Sequence, residues 1–326
     1  MLEHGGRLRT AAECYGIPLE QWLDLSTGIN PNGWPVPALQ HDLWSRLPEE
    51  NDGLNAAAQA YYGTVPLLPV AGSQAAIQAL PFLRAPCRVS VIAPGYAEHA
   101  DAWMRHGHHV TPVAAEGLDA VVAQSDVLLL IQPNNPTGSL VPRSQLQAWR
   151  AELAARGGWL VVDEAFVDAT PEQSLMSVMP QPGLIILRSL GKFFGLAGLR
   201  VGFVSATPAL LSALRTRLGP WSIATASRWI ATTALCDRGW QMRARHELSP
   251  RAARLGALLN DCGLTPSGGT ALFQWVRTER ARPIHQHLAN RAILTRLFET
   301  PPSLRFGLPG TDADWHRLQM ALDEVP

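Results

Sequence analysis

The sequence Val-Leu-Leu-Leu-Ile-Gln-Pro-Asn-Asn-Pro-Thr-Gly occupies residues 127–138. Its first five residues are apolar on both faces, which is typical of a strand at the centre of a parallel sheet. Residues 159–166, Trp-Leu-Val-Val-Asp-Glu-Ala-Phe, repeat the pattern of an apolar run followed by polar residues. Because ligands of parallel sheets collect beyond the carboxyl ends of the strands, the polar residues that follow these runs are candidate site residues.

The neighbouring segments extend the pattern over residues 68–205, where short β-branched runs alternate with stretches of helical periodicity. Strands are predicted at 89–92, 110–113, 127–132, 159–162, 184–188 and 201–205, and helices at 73–83, 98–106 and 144–156. This order predicts an α/β fold with a mostly parallel sheet flanked by helices.

The segment after Pro220 differs in character and predicts a smaller α+β domain. Helical stretches at 227–254, a strand at 271–276, a helix at 284–288 and a further strand-like run at 303–307 support this. We expect a large domain at 30–220, and a small domain at 221–326 completed by an N-terminal arm at 1–29.

Composition excludes several classes of protein. A chain of 326 residues exceeds the roughly 250–300 at which one core stops growing. The 27 basic and 27 acidic residues balance, so neither nucleic acid nor an anionic membrane surface is an expected partner. No apolar run approaches the roughly 18 residues that span a bilayer, and the four dispersed cysteines suit reduced thiols. We expect a cytoplasmic protein.

Lys192 is the single lysine of the chain, whereas the other 26 basic residues are arginines. An arginine-favouring genome explains the arginines, and chance retention is the simple alternative for the lysine. A buried amine can lose its proton and attack a carbonyl carbon, whereas a guanidinium stays charged. Lys192 follows the strand predicted at 184–188, which places it at the ligand-binding edge as the candidate catalytic residue.

Further polar groups lie at the same edge. Asp163 follows the strand at 159–162, where a carboxylate needs a cationic partner such as a protonated heterocyclic nitrogen. Gly72 and Ser73 open a predicted helix, whose N-terminus favours a phosphate. Together with a nucleophilic lysine and the nearby Arg200, these groups match the requirements of pyridoxal phosphate.

The chain resembles the class I and II aminotransferases of fold type I. The resemblance covers essentially the full length and rests on Pro-Asn-Asn-Pro-Thr-Gly at 133–138, Asp-Glu-Ala-Phe at 163–166 and Ser-Leu-Gly-Lys at 189–192, with Arg200 eight residues beyond the lysine. It implies a fold-type I pyridoxal 5'-phosphate enzyme that acts as a homodimer.

The resemblance also implies individual roles. Lys192 would carry the cofactor covalently, Asp163 would hold the ring nitrogen protonated and Asn135 would donate to the ring oxygen. The phosphate would be bound by Gly72, Ser73, Gln74, Ser189 and Arg200. His99 falls where the family has an aromatic residue stacked on the ring, with Tyr96 as the alternative. The histidines at 106, 108 and 109 lack acidic companions, so no metal site is expected.

Two residues depart from the family pattern. Phe166 stands where many aminotransferases have a tyrosine that bonds the ring oxygen, and Leu47 stands where a tyrosine from the other subunit would reach the phosphate. Both departures indicate tuning that differs from a standard transaminase.

Within the family, four features are similar to members that decarboxylate L-threonine O-3-phosphate in cobalamin biosynthesis. They are His4-Gly5-Gly6, residues 25–31, the Phe of Asp-Glu-Ala-Phe, and Leu304-Arg305-Phe306-Gly307. Transamination of a phosphorylated amine such as histidinol phosphate is the alternative. A non-catalytic binding module would be expected to lack the lysine or the aspartate.

The choice between these reactions depends on the residues that bind the charged ends of a small phosphorylated amino acid, which we call the substrate anchors. Arg305 is the candidate for one anionic end, because a guanidinium pairs with a carboxylate or phosphate in a bidentate manner. His4, Asn30 and Arg296 are the candidates for the remaining contacts. Surface charge in an arginine-rich chain is the alternative for Arg296 and Arg7.

Overall fold

The computed structural model describes residues 4–325 and divides the chain into two compact units. The larger unit comprises Trp34–Asn135 and Leu140–Met242. The smaller unit takes the chain up to Gly33, the segment Pro136–Ser139 and the residues from Arg243 onward. Residues 221–242 therefore pack in the larger unit, whereas the boundary expected from the sequence lay before them.

The α-helices are α1 Leu8–Tyr15, α2 Asp42–Ser45, α3 Leu54–Tyr62, α4 Ser73–Ala79, α5 Ala97–Arg105, α6 Leu118–Val121, α7 Arg143–Ala155, α8 Pro208–Leu218, α9 Thr225–Cys236, α10 Arg238–Asp261, α11 Ala281–Ala289 and α12 Asp312–Asp323. Short 3₁₀ turns occupy Leu19–Gln21, Leu80–Leu83, Ala115–Gly117, Val122–Gln124, Val167–Ala169, Pro171–Gln173, Met176–Val178 and Ala197–Leu199.

The strands are β1 Leu23–Leu25, β2 Leu67–Val70, β3 Arg88–Ile92, β4 His109–Val113, β5 Val127–Ile131, β6 Trp159–Asp163, β7 Leu184–Ser189, β8 Gly202–Ser205, β9 Gly268–Thr270, β10 Phe273–Arg277, β11 Ile293–Glu299 and β12 Pro302–Gly307. Every strand predicted from the sequence is present, with its ends shifted by two residues at most.

The larger unit is built on a seven-stranded sheet in the order β2-β8-β7-β6-β5-β3-β4. Strands β3 to β7 pair in parallel, while β8 runs antiparallel to both β7 and β2. All residues of β5 and β7 are buried, because helices cover both faces of a central parallel strand. The predicted α/β class with a mostly parallel sheet is confirmed.

Apolar side chains from the helices form the main core against this sheet. Ile77 of α4, Trp103 of α5 and Leu214 of α8 belong to one cluster with Leu129 and Val161 of the central strands. Burying these large side chains removes apolar surface from water, which is the main term that favours folding. This core fixes the strand ends from which the site residues project.

The smaller unit is built on a five-stranded sheet in the order β1-β11-β12-β10-β9. Strand β1 pairs in parallel with β11, and the remaining pairs are antiparallel. Trp22 and Ala11 of the N-terminal arm pack with Ala289 and Leu294, so the arm completes this unit. Within residues 4–325, the helices include none that is long and apolar enough to cross a membrane.

Candidate cofactor and substrate site

Asp163 is the last residue of β6, and its side chain is buried at the carboxyl edge of the sheet. Its Oδ1 atom accepts a hydrogen bond from the backbone N–H of Ala165 at 3.0 Å. Its Oδ2 atom lies 2.9 Å from Nε2 of His99, which is also buried. An ionised carboxylate only accepts hydrogen bonds, so an ionised Asp163 requires the tautomer of His99 that carries a proton on Nε2.

His99 projects from the first turn of α5. The ring of Tyr96 lies edge-on at 6.0 Å between centroids, and the Tyr96 hydroxyl donates to Oε1 of Gln74 at 3.2 Å. Burial raises the pKa of Tyr96 to about 12, so its hydroxyl stays protonated. The structure thus shows that the edge of the His99 ring contacts Asp163. The expected stacking of His99 on the cofactor ring stays a prediction.

Gly72 and Arg200 form a close pair at the start of α4. Gly72 has φ 72°, and a Cβ atom added to it would lie 2.6 Å from Nη2 of Arg200. A Cβ atom added to Gly202 would lie 2.7 Å from the backbone nitrogen of Ser73. Glycine at position 72 lets the guanidinium approach the backbone, and glycine at position 202 lets β8 approach the first turn of α4. The first amides of a helix have no acceptor within it, so this cradle presents N–H groups and a cation.

Ser189 ends β7, and its hydroxyl accepts a hydrogen bond from the N–H of Gly191 at 3.2 Å. The side chain of Gln74 donates to Oε2 of Glu98 at 2.7 Å, which leaves the backbone of Gln74 as its expected contribution to a phosphate. Ser73, Gln74, Ser189 and Arg200 all belong to the larger unit.

Lys192 lies half-buried in the turn that follows β7. Its Nζ atom is 5.5 Å from the centroid of the Phe166 ring. The next residues, Phe193 and Phe194, are fully buried and pack against Trp240. The carbonyl oxygen of Phe194 also accepts a hydrogen bond from the N–H of Trp34 at 2.8 Å. These anchors hold the turn that carries the lysine.

Asn135 follows β5, the strand next to β6, so it lies at the same sheet edge as Asp163. The turn before it is fixed by two side chains. Nδ2 of Asn134 donates to the carbonyl oxygen of Pro94 at 2.9 Å, and the Gln132 amide bonds both the N–H and the carbonyl oxygen of Val141. The Asn-Asn turn is therefore held from two sides.

The predicted substrate anchors lie in the smaller unit. Arg296 of β11 and Arg305 of β12 stand directly opposite each other in the antiparallel pair. Arg305 is buried, and its Nη2 donates to the carbonyl oxygen of Ser26 at 2.6 Å. Burial and the charge of Arg296 lower the pKa of Arg305 to about 10, although Asp24 acts in the opposite direction. Two adjacent guanidinium groups repel each other, so an anion that binds both stabilises the pair.

His4 and Arg296 line one cavity of about 650 Å³ in the smaller unit, together with Arg7 and Ser26. Asn30 is buried, and its Oδ1 atom accepts a hydrogen bond from the N–H of Asn32 at 3.0 Å. The structure thus places His4 and Arg296 on the same cavity. Arg305 is connected to this cavity by its hydrogen bond to Ser26, which also lines it. Among residues 4–325, His, Cys, Asp and Glu side chains form no group that could hold a metal ion.

A cluster of buried ionic side chains that was not predicted from the sequence lies directly behind the carboxyl edge of the seven-stranded sheet. Arg188 bridges Glu164 and Asp168, and all three side chains are almost completely buried. The available signal was an arginine at the end of an apolar run, immediately before Ser189.

The chain belongs to the aminotransferase class I and II family, whose pattern it matches over residues 48–322. It is 52% identical over 322 residues to the threonine-phosphate decarboxylase of Pseudomonas aeruginosa, covering 99% of this chain and 97% of that protein. It is 41% identical to the threonine-phosphate decarboxylase of a Sinorhizobium species, covering 98% and 97% of the two chains.

A solved structure of similar fold is the histidinol-phosphate aminotransferase of Sinorhizobium meliloti in complex with pyridoxal-5'-phosphate. The TM-score is 0.86 at 23% identity, over 99% of this chain and 95% of that one. The fold-type I architecture expected from the sequence is confirmed.

Proposed function

We propose that this protein is a pyridoxal phosphate-dependent lyase that converts L-threonine O-3-phosphate to (R)-1-amino-2-propanol O-2-phosphate and carbon dioxide. The observation that carries this proposal is 52% identity to a threonine-phosphate decarboxylase over 99% of the chain. The resemblance seen in the sequence places the reaction in cobalamin biosynthesis. We also assign the enzyme to the cytoplasm, because all four cysteines are free thiols.

The residues of the larger unit fit pyridoxal phosphate. The glycine backbone at Gly72 leaves a cradle that a Cβ atom would fill, and the guanidinium of Arg200 forms its wall. In this cradle the backbone N–H groups of Ser73 and Gln74 would bind the phosphate, with the hydroxyl of Ser189. A helix N-terminus combined with a guanidinium suits a phosphate dianion.

The remaining cofactor contacts follow the strand order. Asn135 would donate to the ring oxygen, and Lys192 would carry the cofactor covalently. Asp163 would hold the proton on the ring nitrogen, while His99 fixes the orientation of Asp163 through its hydrogen bond. When bound, the cofactor supplies a cationic ring that accepts the electrons released from a bond at the α-carbon of the substrate.

The protein selects the bond that breaks by the place where it holds the charged ends of the substrate. Arg305, Arg296 and His4 would bind the carboxylate and the phosphate of L-threonine O-3-phosphate. After carbon dioxide leaves, the ammonium form of Lys192 would deliver a proton to the α-carbon and the resulting amine would regain a proton from water, so no second substrate is consumed. A lysine amine suits this task because burial shifts its pKa readily.

Transamination of histidinol phosphate is the alternative reaction, and it differs in its demand for an oxo-acid. The fold neighbour with that name is 23% identical, which supports the fold but not the activity. The experiment that separates the two reactions measures carbon dioxide released from O-phospho-L-threonine by cofactor-loaded protein without any oxo-acid.

We expect multiple turnovers of release in the wild type and none in Lys192→Ala. Absence of release, together with a single conversion of the cofactor spectrum on adding histidinol phosphate, would replace the decarboxylase by an aminotransferase. Covalent cofactor binding that persists in Lys192→Ala would contradict the assignment of the site itself.

A homodimer is the assembly that the family resemblance implies, and the larger unit has a surface suited to it. Trp44 and Leu47 are each 65% exposed, and Trp221 is 61% exposed. Helix α2, which carries Trp44, packs against α9, and the hydroxyl of Thr225 donates to the carbonyl oxygen of Arg46. Trp221 lines one pocket with Pro48, the residue that follows Leu47. Large exposed apolar side chains in one patch mark protein interaction surfaces. We assign this surface, formed by residues 44–47 and 221, to contact with a second copy of the chain.

A further inference from the structure

Three charged side chains are buried behind the proposed cofactor site, and the proposed chemistry uses none of them. Nη1 of Arg188 lies 2.8 Å from Oε2 of Glu164, and Nη2 contacts Oδ1 of Asp168. None of the three side chains is more than 3% exposed. We call this set the Arg188 cluster.

Hydrogen bonds from the segment at Ser174 and Leu175 hold the Glu164 carboxylate of the Arg188 cluster. Glu164 accepts from the N–H of Leu175 at 2.7 Å and from the hydroxyl of Ser174 at 2.6 Å. Burial raises the pKa of Glu164, while Arg188 and these donors favour its charged form. A buried ion pair contributes little net stability compared with apolar side chains of similar volume. Stability alone therefore does not account for the cluster.

The cluster lies next to both strand ends that carry cofactor contacts. Glu164 directly follows Asp163, and the N–H of Glu164 donates to the carbonyl oxygen of Leu187 at 2.9 Å. Arg188 directly precedes Ser189, and side chains of successive strand residues point to opposite faces. The Glu164–Arg188 pair thus joins the ends of β6 and β7 from the side opposite the site.

The cluster also reaches the lysine turn. The hydroxyl of Tyr61 donates to Oδ1 of Asp168 at 2.9 Å. The ring of Tyr61 packs edge-on against Phe194 at 5.5 Å between centroids, two residues beyond Lys192. Asp168 therefore connects Arg188 to the segment that holds the lysine.

We propose that Arg188, by bridging Glu164 and Asp168, is a positioning residue that fixes Asp163 and Lys192 relative to each other. This inference rests on the proposed function, in which Asp163 and Lys192 hold the cofactor. Arg188 touches neither substrate nor cofactor and acts through the two carboxylates. A displacement of about 1 Å in a reacting group can cost roughly 100-fold in rate.

The principal test is Arg188→Lys, because a single ammonium group cannot reproduce the planar bridge between two carboxylates. We expect kcat for O-phospho-L-threonine to fall about 100-fold, with KM changed by no more than about twofold. We also expect a weaker affinity for pyridoxal phosphate, measured by fluorescence quenching of the apoenzyme. The pH at which the absorbance of the bound cofactor changes should shift as well.

A second variant keeps the proposal testable if Arg188→Lys fails to fold. Tyr61→Phe removes one hydrogen bond to Asp168 but keeps the ring against Phe194. We expect the same changes in cofactor absorbance and kcat at a smaller size, about tenfold in kcat. Arg88→Met is the control, because the Arg88–Asp126 pair is exposed in the same unit and should leave every readout unchanged.

The outcomes separate the proposals from each other. A folded variant with a lower melting temperature but with wild-type cofactor affinity, absorbance titration and kcat would show that the Arg188 cluster is only structural. Failure of the wild type to bind pyridoxal phosphate at Lys192 would instead overturn the proposed function. A large rise in KM with unchanged kcat would assign Arg188 to substrate binding and contradict the positioning role.

Discussion

His99 and Asp163 are joined by a hydrogen bond of 2.9 Å between two almost fully buried side chains, 64 residues apart in the chain. Asp163 thereby receives a donor from α5 in addition to the backbone N–H of Ala165. A carboxylate fixed by two donors keeps its orientation when a ring nitrogen binds to it. This relationship leads to a direct test of the role of His99.

His99→Phe should lower kcat/KM by about 10- to 150-fold, because hydrogen bonds to charged groups contribute about 1.5–3 kcal/mol. Phenylalanine keeps an aromatic ring, so a stacking role for His99 predicts little loss. Tyr96→Leu is the companion variant, and loss of activity there with retention in Tyr96→Phe would assign stacking to Tyr96. Steady-state kinetics and cofactor retention after gel filtration check both cases.

Gly72→Ala should weaken pyridoxal phosphate binding, because the added Cβ atom would lie 2.6 Å from Nη2 of Arg200. Strain at positive φ contributes as well, and Gly219→Ala isolates that part. Gly219 has φ 75° and nothing within 4 Å of an added Cβ atom. We expect at least a tenfold rise in Kd for Gly72→Ala, equivalent to about 1.4 kcal/mol, and no comparable rise for the control. Equal effects in the two variants would show that backbone strain, and not contact with Arg200, explains the change in Kd.

Arg305→Gln should raise KM for O-phospho-L-threonine by about 10–100-fold, because a charge-assisted bidentate contact is lost. Affinity for pyridoxal phosphate should stay unchanged, since Arg305 is not one of the residues that we propose to bind the cofactor. Arg277→Gln, on the exposed end of β10, is the control. An unchanged KM in Arg305→Gln would exclude it as an anchor.

Asp52 and Arg228 form a bidentate pair, with contacts of 2.5 and 2.7 Å, between the start of α3 and α9. Burial acts to raise the pKa of Asp52, but the hydrogen bonds and charge of Arg228 lower it below 3.8. Because the folded-state pKa is depressed, this stabilisation is present above pH 3.8 and is lost as the pH falls through the folded-state value.

Asp52→Asn should therefore lower the free energy of unfolding at pH 7 by roughly 1–3 kcal/mol. The difference from wild type should shrink as the pH falls below 3.8, because the carboxylate then takes up a proton in the unfolded wild type before it does so in the folded protein. Urea denaturation at pH 7 and at pH 3 measures this difference in the free energy of unfolding. A difference that stays constant between pH 7 and pH 3 would contradict the ion-pair interpretation.

The sheet of the larger unit could be predicted because its strands are apolar runs that end in polar residues. Asp163, Ser189 and Lys192 each follow such a run, so their place at the ligand edge followed from the pattern. Strand β2 was not predicted, since Pro69 lacks a ladder donor and interrupts its four residues. Strand β11 carries Arg296 and Glu299 among its apolar residues, which concealed its extended backbone.

Long-range polar contacts could not be predicted from the sequence. The pattern indicated that Asp163 needs a cationic partner but did not identify His99 as its neighbour in the folded chain. Arg188 was counted as part of a strand, and its position between Glu164 and Asp168 depends on a 3₁₀ turn at Val167–Ala169 that no motif marks. Such contacts form only when separate loops pack together.

The surface formed by Trp44, Leu47 and Trp221 provides the test of assembly. A stable dimer interface commonly buries on the order of 800 Å² per partner, with aromatic residues near its centre. The double variant Trp44→Glu with Trp221→Glu places charges in that centre and should convert a dimer to a monomer in sedimentation velocity. Met104→Glu, at a site 54% exposed on α5, is the matched control and should not change the sedimentation coefficient. A dimer that persists in the double variant would place the contact elsewhere on the chain, whereas a wild type that sediments as a monomer would contradict the homodimer itself.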